Sequence, residues 1–221
     1  MYMKKDALTL ETLHQEAKAF CERQSKRSHP ELIGITDGKA VGTHIEHLFQ
    51  DYLSTKYDYQ CGNSAYGIDF PEPSINTDMK VTSIKQPQSS CPFKSASQKI
   101  YGLGYNLLIL TYEKSDSPQS CSLAFRYCTF VSAERTGDYK TTSFLIELIK
   151  NGANVEDIKS FFVDIHLPAD EITLENLANE VLTSPPPLGL LTISNALQWR
   201  LQYKRVNELD NTEEGVINYA W

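Results

Sequence analysis

The run Tyr105-Asn-Leu-Leu-Ile-Leu-Thr-Tyr112 constrains the fold more than any other stretch of the chain. Its apolar residues do not alternate with polar ones, so a strand made from it is shielded from water on both faces. The flanking sequence supplies neighbours and cover for such a strand. Ser95 to Tyr101 reads as a short helix that enters the run through the turn Gly102-Leu-Gly104, and Lys114-Ser-Asp-Ser-Pro118 turns the chain into a second strand from Ser122 to Ser132. Upstream, Thr9 caps a helix with Leu10, Leu13, Ala17 and Phe20 at helical spacing, ending in the polar, basic run Glu22 to Ser28. After a loop from His29 to Asp37, a second helix turns Val41, Ile45, Leu48, Phe49 and Tyr52 toward the core. From Thr141 the character is helical. Phe144, Leu145, Leu148 and Ile149 form one apolar face closed by Gly152, Asn154 caps a helix carrying Ile158, Phe161 and Phe162, and a third helix spans about Thr173 to Leu182. Ser184-Pro-Pro-Pro-Leu-Gly189 breaks the chain, and Leu190 to Ile193 adds a short strand. This order predicts an α/β fold, a mixed central β-sheet flanked by helices, with a helical C-terminal part. At 221 residues the chain reads as a single domain, its core at about residues 36–135 and its helical part at about 141–221.

Chemistry enters with the stretch from Tyr66 to Ser83, which reads as two short strands joined by the Pro-rich turn around Pro71-Glu72-Pro73. Strand alternation projects Asp78 and Lys80 to one side and Met79 and Val81 to the other, toward a core, and Asp69 behaves likewise between Ile68 and Phe70. Pairing the two strands brings Asp69 and Asp78 together with Lys80 beside them. Adjacent carboxylates repel unless a cation neutralises them. All-oxygen ligation suits Mg²⁺, with Mn²⁺ as a substitute. A lysine beside such an ion orients or helps deprotonate a water for attack on phosphorus, while the ion stabilises charge on the phosphate oxygens. The chemistry so described is phosphodiester hydrolysis. Glu72, between two prolines, is the rival to Asp69 as first ligand, in the position of a turn residue aimed at solvent or DNA.

These residues also resemble a family. Gly67-Ile-Asp69-Phe-Pro, a turn and then Asp78-Met-Lys80 is similar to the active-site hairpin of the PD-(D/E)XK nucleases, the restriction-endonuclease-like superfamily, although here the proline follows the first acid at one remove instead of preceding it. Within that superfamily, Lys80-Val-Thr-Ser-Ile-Lys-Gln-Pro-Gln88 followed by Gln98-Lys-Ile-Tyr-Gly-Leu-Gly-Tyr-Asn-Leu-Leu-Ile-Leu110 most resembles the type II restriction enzymes. The likeness spans roughly residues 36 to 112. It implies metal-dependent, sequence-specific hydrolysis of double-stranded DNA, with Asp69 and Asp78 as metal ligands and Lys80 orienting the water. In many relatives a helix before the hairpin supplies a further carboxylate, and Glu46 is the matching position. Glu46 fits a solvated glutamate on an amphipathic helix equally well. Gly42, one turn earlier, permits close approach of another element or of DNA backbone. His44 and His47 read as surface residues rather than ligands. A homodimer is expected, because two-fold symmetry matches two cuts in a palindrome. Two alternatives stand beside this reading: a structure-specific repair nuclease of the same superfamily, and a DNA-binding module whose acids are structural.

A net charge of −7 and a pI near 5.3 count against a general nucleic-acid binder, because phosphate neutralisation rests on Lys and Arg. The charge is unevenly placed, however. Acids cluster from Glu156 to Glu180, whereas Lys80, Lys85, Lys94 and Lys99 gather near the proposed site and Arg200, Lys204 and Arg205 near the C-terminus. Ser83 to Ser97 reads as a polar loop whose Lys85, Gln86, Gln88 and Lys94 contact DNA, joined by Gln98 and Lys99 from the short helix that follows. In Leu197-Gln-Trp-Arg-Leu-Gln-Tyr-Lys204, apolar Leu197, Trp199, Leu201 and Tyr203 alternate with Gln198, Arg200, Gln202 and Lys204. That is a strand with one face of amides and cations, suited to the major groove. The segment Glu208 to Glu214 is acidic and is expected to turn away from DNA. Five cysteines without a C-x-x-C pair form neither a disulfide framework nor a zinc knuckle. With no membrane-spanning apolar run and no signal-peptide pattern, the expected location is the reducing cytoplasm.

Overall fold

The computed structural model describes residues 5–62, 67–91, 94–194 and 199–221. In chain order its elements are β1 (Asp6–Ala7), α1 (Leu10–Ser25), α2 (Gly38–Lys56), β2 (Tyr57–Asp58), β3 (Thr77–Ser83), β4 (Gln88–Cys91), α3 (Gln98–Tyr101), β5 (Asn106–Asp116), β6 (Cys121–Val131), α4 (Tyr139–Lys150), α5 (Val155–Asp164), α6 (Glu171–Thr183), β7 (Thr192–Ser194), β8 (Trp199–Gln202), α7 (Lys204–Asn207) and β9 (Val216–Ala220). The chain folds into two compact units. The first comprises the residues up to Pro87 with Asn106–Val131 and Asn207–Trp221; the second comprises Gln88–Tyr105 and Ser132–Val206.

The first unit is built on a four-stranded sheet in the order β3-β5-β6-β9. β3 runs parallel to β5, while β5–β6 and β6–β9 are antiparallel, so the sheet is mixed as expected. Leu107 to Tyr112 of β5 are buried without interruption, which is why that run carries no alternation. α1 packs on β6 and α2 on β3. Their apolar stripes, Leu13, Ala17 and Phe20 from α1 and Val41, Ile45, Phe49 and Leu53 from α2, meet Met79, Leu108, Leu110 and Phe125 in one core. Each such Leu or Phe contributes about 1.5–3 kcal/mol on burial. Capping fixes where the helices begin. The Thr9 hydroxyl accepts the Thr12 N–H and the Thr12 hydroxyl accepts the Thr9 N–H, and Asp37 accepts the Lys39 N–H at 3.0 Å.

The acidic segment Glu208 to Glu214 is followed by a strand that the sequence reading did not anticipate. β9 pairs with β6 and is held by a buried amide network: Thr129 Oγ1 lies 3.0 Å from Asn207 Oδ1 and 2.9 Å from Asn218 Oδ1, and Asn207 Nδ2 donates to Thr111 Oγ1 at 3.0 Å.

The second unit carries a three-stranded antiparallel sheet, β4-β8-β7, and a helical layer in which Leu145, Ile158, Phe162, Leu174, Ala178 and Val181 pack together. Buried Asp138 ties helix to strand. Its Oδ2 caps α4 through the Thr141 N–H at 2.9 Å and its Oδ1 accepts the Ile193 N–H of β7 at 2.7 Å. Two expectations are corrected here. Ser83 to Ser97 is not a loop throughout, because Gln88–Cys91 forms β4; four weakly β-prone residues become a strand by pairing with β8. Phe144 is 44% exposed rather than facing the core, and it leans on Phe161 with ring centroids 4.6 Å apart. Among the described residues, no helix is long and apolar enough to cross a membrane.

Candidate active site

β3 is the edge strand on which the site is assembled. Asp78 and Lys80 share one face, and Met79 between them is buried in the core. Asp78 is only 4% exposed, and its Oδ2 lies 2.7 Å from Lys80 Nζ. The expected hairpin is shorter than its sequence suggested. Among the described residues the first strand is reduced to a single antiparallel bridge, Phe70 to Thr77, beyond which Pro71 and Pro73 lack the N–H groups to extend a ladder into the turn.

That one bridge still brings Asp69 to Asp78. Three contacts place Asp69. The Phe70–Thr77 bridge fixes its neighbour, the Gly62 N–H donates to the Asp69 carbonyl at 2.7 Å, and the Met79 N–H donates to Asp69 Oδ2 at 2.8 Å. The second contact requires glycine, since a Cβ on Gly62 would fall 1.9 Å from the Ile68 carbonyl oxygen. Asp69 in turn meets the Asp78 carboxyl group within hydrogen-bonding reach. Glu72 takes no part. It accepts the Gln60 N–H at 2.8 Å, so Asp69 is the acid that faces Asp78.

Glu46 reaches the same place from α2. A Cβ on Gly42, one turn before it, would stand 3.2 Å from the Val81 carbonyl oxygen, so this glycine lets the helix close on β3 and is not a gap for DNA backbone. Glu46, Asp69, Asp78 and Lys80 together line a cavity of about 360 Å³, with His47 and Gln50 beside them. Gln50 was missed in the sequence, although it lies one helical turn past Glu46 and therefore on its face. His47 lines the cavity from an exposed position, whereas His44 points to Glu31, its Nε2 3.2 Å from Glu31 Oε1.

Burial and mutual repulsion dominate the electrostatics. Burial, reinforced by the neighbouring Asp69 and opposed by Lys80, pushes the Asp78 carboxyl up to about 7. Burial, then Asp69, also raises Glu46. For Lys80 burial acts downward, but Asp78, Asp69 and Glu46 more than offset it and its pKa is raised. Three acids thus surround one ammonium. Among the described residues no three His, Cys, Asp or Glu side chains converge on one point. Two adjacent carboxylates, Asp69 and Asp78, are a donor set of the kind that suits Mg²⁺, an ion that completes its shell with water and phosphate oxygens.

The residues expected to contact DNA fall into distinct groups. Lys85 and Gln86 are exposed on the turn after β3, Lys94 is exposed, and Gln88 is half-buried at the start of β4. Arg200 and Gln202 are exposed on β8, and Lys204 is exposed at the first residue of α7. Gln98 and Lys99 are corrected, being only 9% and 5% exposed. Gln98 braces backbone, accepting the Lys94 N–H at 3.2 Å and donating to the Leu103 carbonyl at 3.4 Å. Burial lowers the Lys99 pKa against the pull of Asp138. Gln198 lies outside the described residues.

Comparison with known proteins covers nearly the whole chain. The family model described as "Type II restriction enzyme NspV" matches residues 7–218. The chain is 51% identical over 212 residues to the type II restriction enzyme NspV of Nostoc sp. (strain ATCC 29411 / PCC 7524), which covers 95% of this chain and 96% of that one. No solved structure matches it.

Proposed function

Since the chain belongs to the type II restriction enzyme NspV family, and so has the activity of a type II restriction endonuclease, we propose that Asp69, Asp78 and Lys80, with Glu46 in support, carry Mg²⁺-dependent hydrolysis of DNA phosphodiester bonds. The chain is a site-specific deoxyribonuclease that binds double-stranded DNA. The observation that carries these roles is the pair Asp69–Asp78 with Lys80 Nζ 2.7 Å from Asp78.

Each residue has a separate task. Asp69 and Asp78 would hold the ion, and Asp69 is kept in place by the Met79 N–H. When bound, Mg²⁺, or Mn²⁺ in its place, supplies Lewis-acid stabilisation of the phosphate oxygens and acidifies water. Lys80, held protonated by the acids around it, directs a water toward phosphorus. Glu46 shares the Lys80 charge and keeps that ammonium over the cavity. Lys85, Gln86, Lys94 and Lys204 meet the DNA backbone. The whole chain serves as one nuclease domain, and two copies related by a two-fold axis cut the two strands. Its free cysteines, Cys21, Cys61, Cys91, Cys121 and Cys128, suit the reducing cytoplasm.

The decisive experiment incubates the purified protein with several plasmids in Mg²⁺, against a chelator control, and sequences the fragment ends. A fixed set of ends that disappears with the chelator, and in Asp78→Ala and Lys80→Ala, is the expected result. Cleavage that survives either substitution would falsify the roles given to these residues.

A further inference from the structure

The second unit holds a polar surface that the catalytic chemistry does not use. In the β4-β8-β7 sheet, Arg200 lies opposite Ser90 on one side and Ser194 on the other, and Gln202 lies opposite Gln88 and Thr192. Residues directly opposite in antiparallel pairs project from the same face. These six residues therefore share one face, on which the Ser194 hydroxyl is itself buried, while the other face is buried around Trp199 and Leu201. Ser90, Arg200 and Gln202 are exposed and the remaining three half-buried. The array contains no acid and no apolar residue beyond the Thr192 methyl, and Arg200 has no ion-pair partner among the described residues.

Its composition points to a ligand of a particular kind. One cation among amides and hydroxyls is too little charge for a phosphate-tracking surface, where several Lys and Arg are needed. A guanidinium fork and carboxamides are instead the groups that pair bidentately with guanine O6/N7 and adenine N6/N7 in the major groove, and a β-ribbon fits that groove. Small Ser90 and Ser194 on either side leave the Arg200 fork open. We infer that this face reads base edges of the double-stranded DNA substrate, Arg200 recognising a guanine and Gln202 with Gln88 an adenine. Residues two apart along a strand are about 7 Å apart, which matches two base-pair steps of about 3.4 Å. The recognition sequence accordingly contains a G·C and an A·T pair within two steps of each other.

The inference rests on the restriction-endonuclease reading, but it fails or stands separately from the catalytic roles. The test measures binding by fluorescence anisotropy, in the Asp78→Ala background, to a duplex carrying the mapped cleavage site and to duplexes with each base pair replaced in turn. Arg200→Ala is expected to weaken cognate binding by about 10- to 100-fold, to erase discrimination at one G·C pair and to leave non-specific binding unchanged. Arg200→Lys, which keeps the charge without the fork, is expected not to restore it. Gln202→Ala and Gln88→Ala are expected to relax an A·T position. Cognate binding within two-fold of the parent for Arg200→Ala overturns the inference. So does uniform weakening across sequences with a salt slope reduced by about one and rescue by Arg200→Lys, since that is a phosphate contact. A mapped site without a G·C pair also overturns it. If Asp78→Ala still cuts DNA, the catalytic assignment fails while the base-reading result keeps its meaning.

Discussion

The four-stranded and three-stranded sheets present their polar residues under opposite conditions. Asp78 and Lys80 on β3 are withdrawn from water beside Asp69 and Glu46, whereas Arg200 and Gln202 on β8 stand in solvent on a face shared only with polar residues. Withdrawal from water strengthens every electrostatic interaction and is costly to the fold. Hydrated side chains cost the fold almost nothing and exchange water readily for a base edge. Substitutions in the first sheet are therefore expected to set activity against stability, and substitutions in the second to alter which DNA is bound while leaving stability alone.

The contrast is broken most sharply at β3. Asp78→Ala or Lys80→Ala is expected to reduce single-turnover cleavage by about 10³-fold or more, whereas Gln202→Ala retains measurable cutting. Next comes the support of Asp69. Gly62→Ala drives a methyl into the Ile68 carbonyl, and a displacement of about 1 Å at Asp69 is expected to lower the cleavage rate by about 10²-fold, with DNA affinity nearly unchanged.

Stability carries the next largest effects. The Asp78 carboxyl is raised from 3.8 to about 7, so between those values the folded chain binds more protons than the unfolded one, and stability falls as pH rises. Asp78→Asn removes that penalty. In metal-free protein at pH 8 it is expected to raise Tm by a few degrees, about 1 kcal/mol being worth about 2–4 °C at this size. His14, buried against Phe130 with ring centroids 4.0 Å apart, acts in the other direction. Burial lowers it from 6.5 to about 4, so the unfolded chain binds more protons and stability is lost as pH falls through that window, by about 1–3 kcal/mol. Urea titrations from pH 4 to 6.5 are expected to show that slope more steeply in Asp78→Asn, where the opposing carboxyl is gone. The smallest effect belongs to the exposed face: Arg200→Ala is expected to shift unfolding free energy by less than about 0.5 kcal/mol. A larger loss would mean that the face is structural.

The grouping of Asp69, Asp78 and Lys80 was legible because its logic is local. Strand alternation alone puts Asp78 and Lys80 on one side of Met79, and only a short turn separates Asp69 from them. Glu46 was legible as a position, since helical spacing sets it beside the stripe Val41-Ile45-Phe49, but its approach to β3 depends on the Gly42 contact with Val81, which no spacing records. Gln98 and Lys99 looked like surface polar residues because nothing in the sequence shows that the turn folds the Leu103 carbonyl back onto Gln98 or places Asp138 near Lys99. β4 and β9 were illegible for a related reason. Each is a short segment that is a strand only because β8 or β6 offers it an edge.

The Met79 N–H that engages Asp69 has a practical consequence. A carboxamide at position 69 would accept that N–H through its oxygen and turn its own NH₂ toward Asp78, converting repulsion into a hydrogen bond without altering the shape of the cleft. On the role proposed for Asp69, Asp69→Asn is the variant to immobilise as a trap, expected to retrieve intact target fragments from a genomic mixture instead of shortening them.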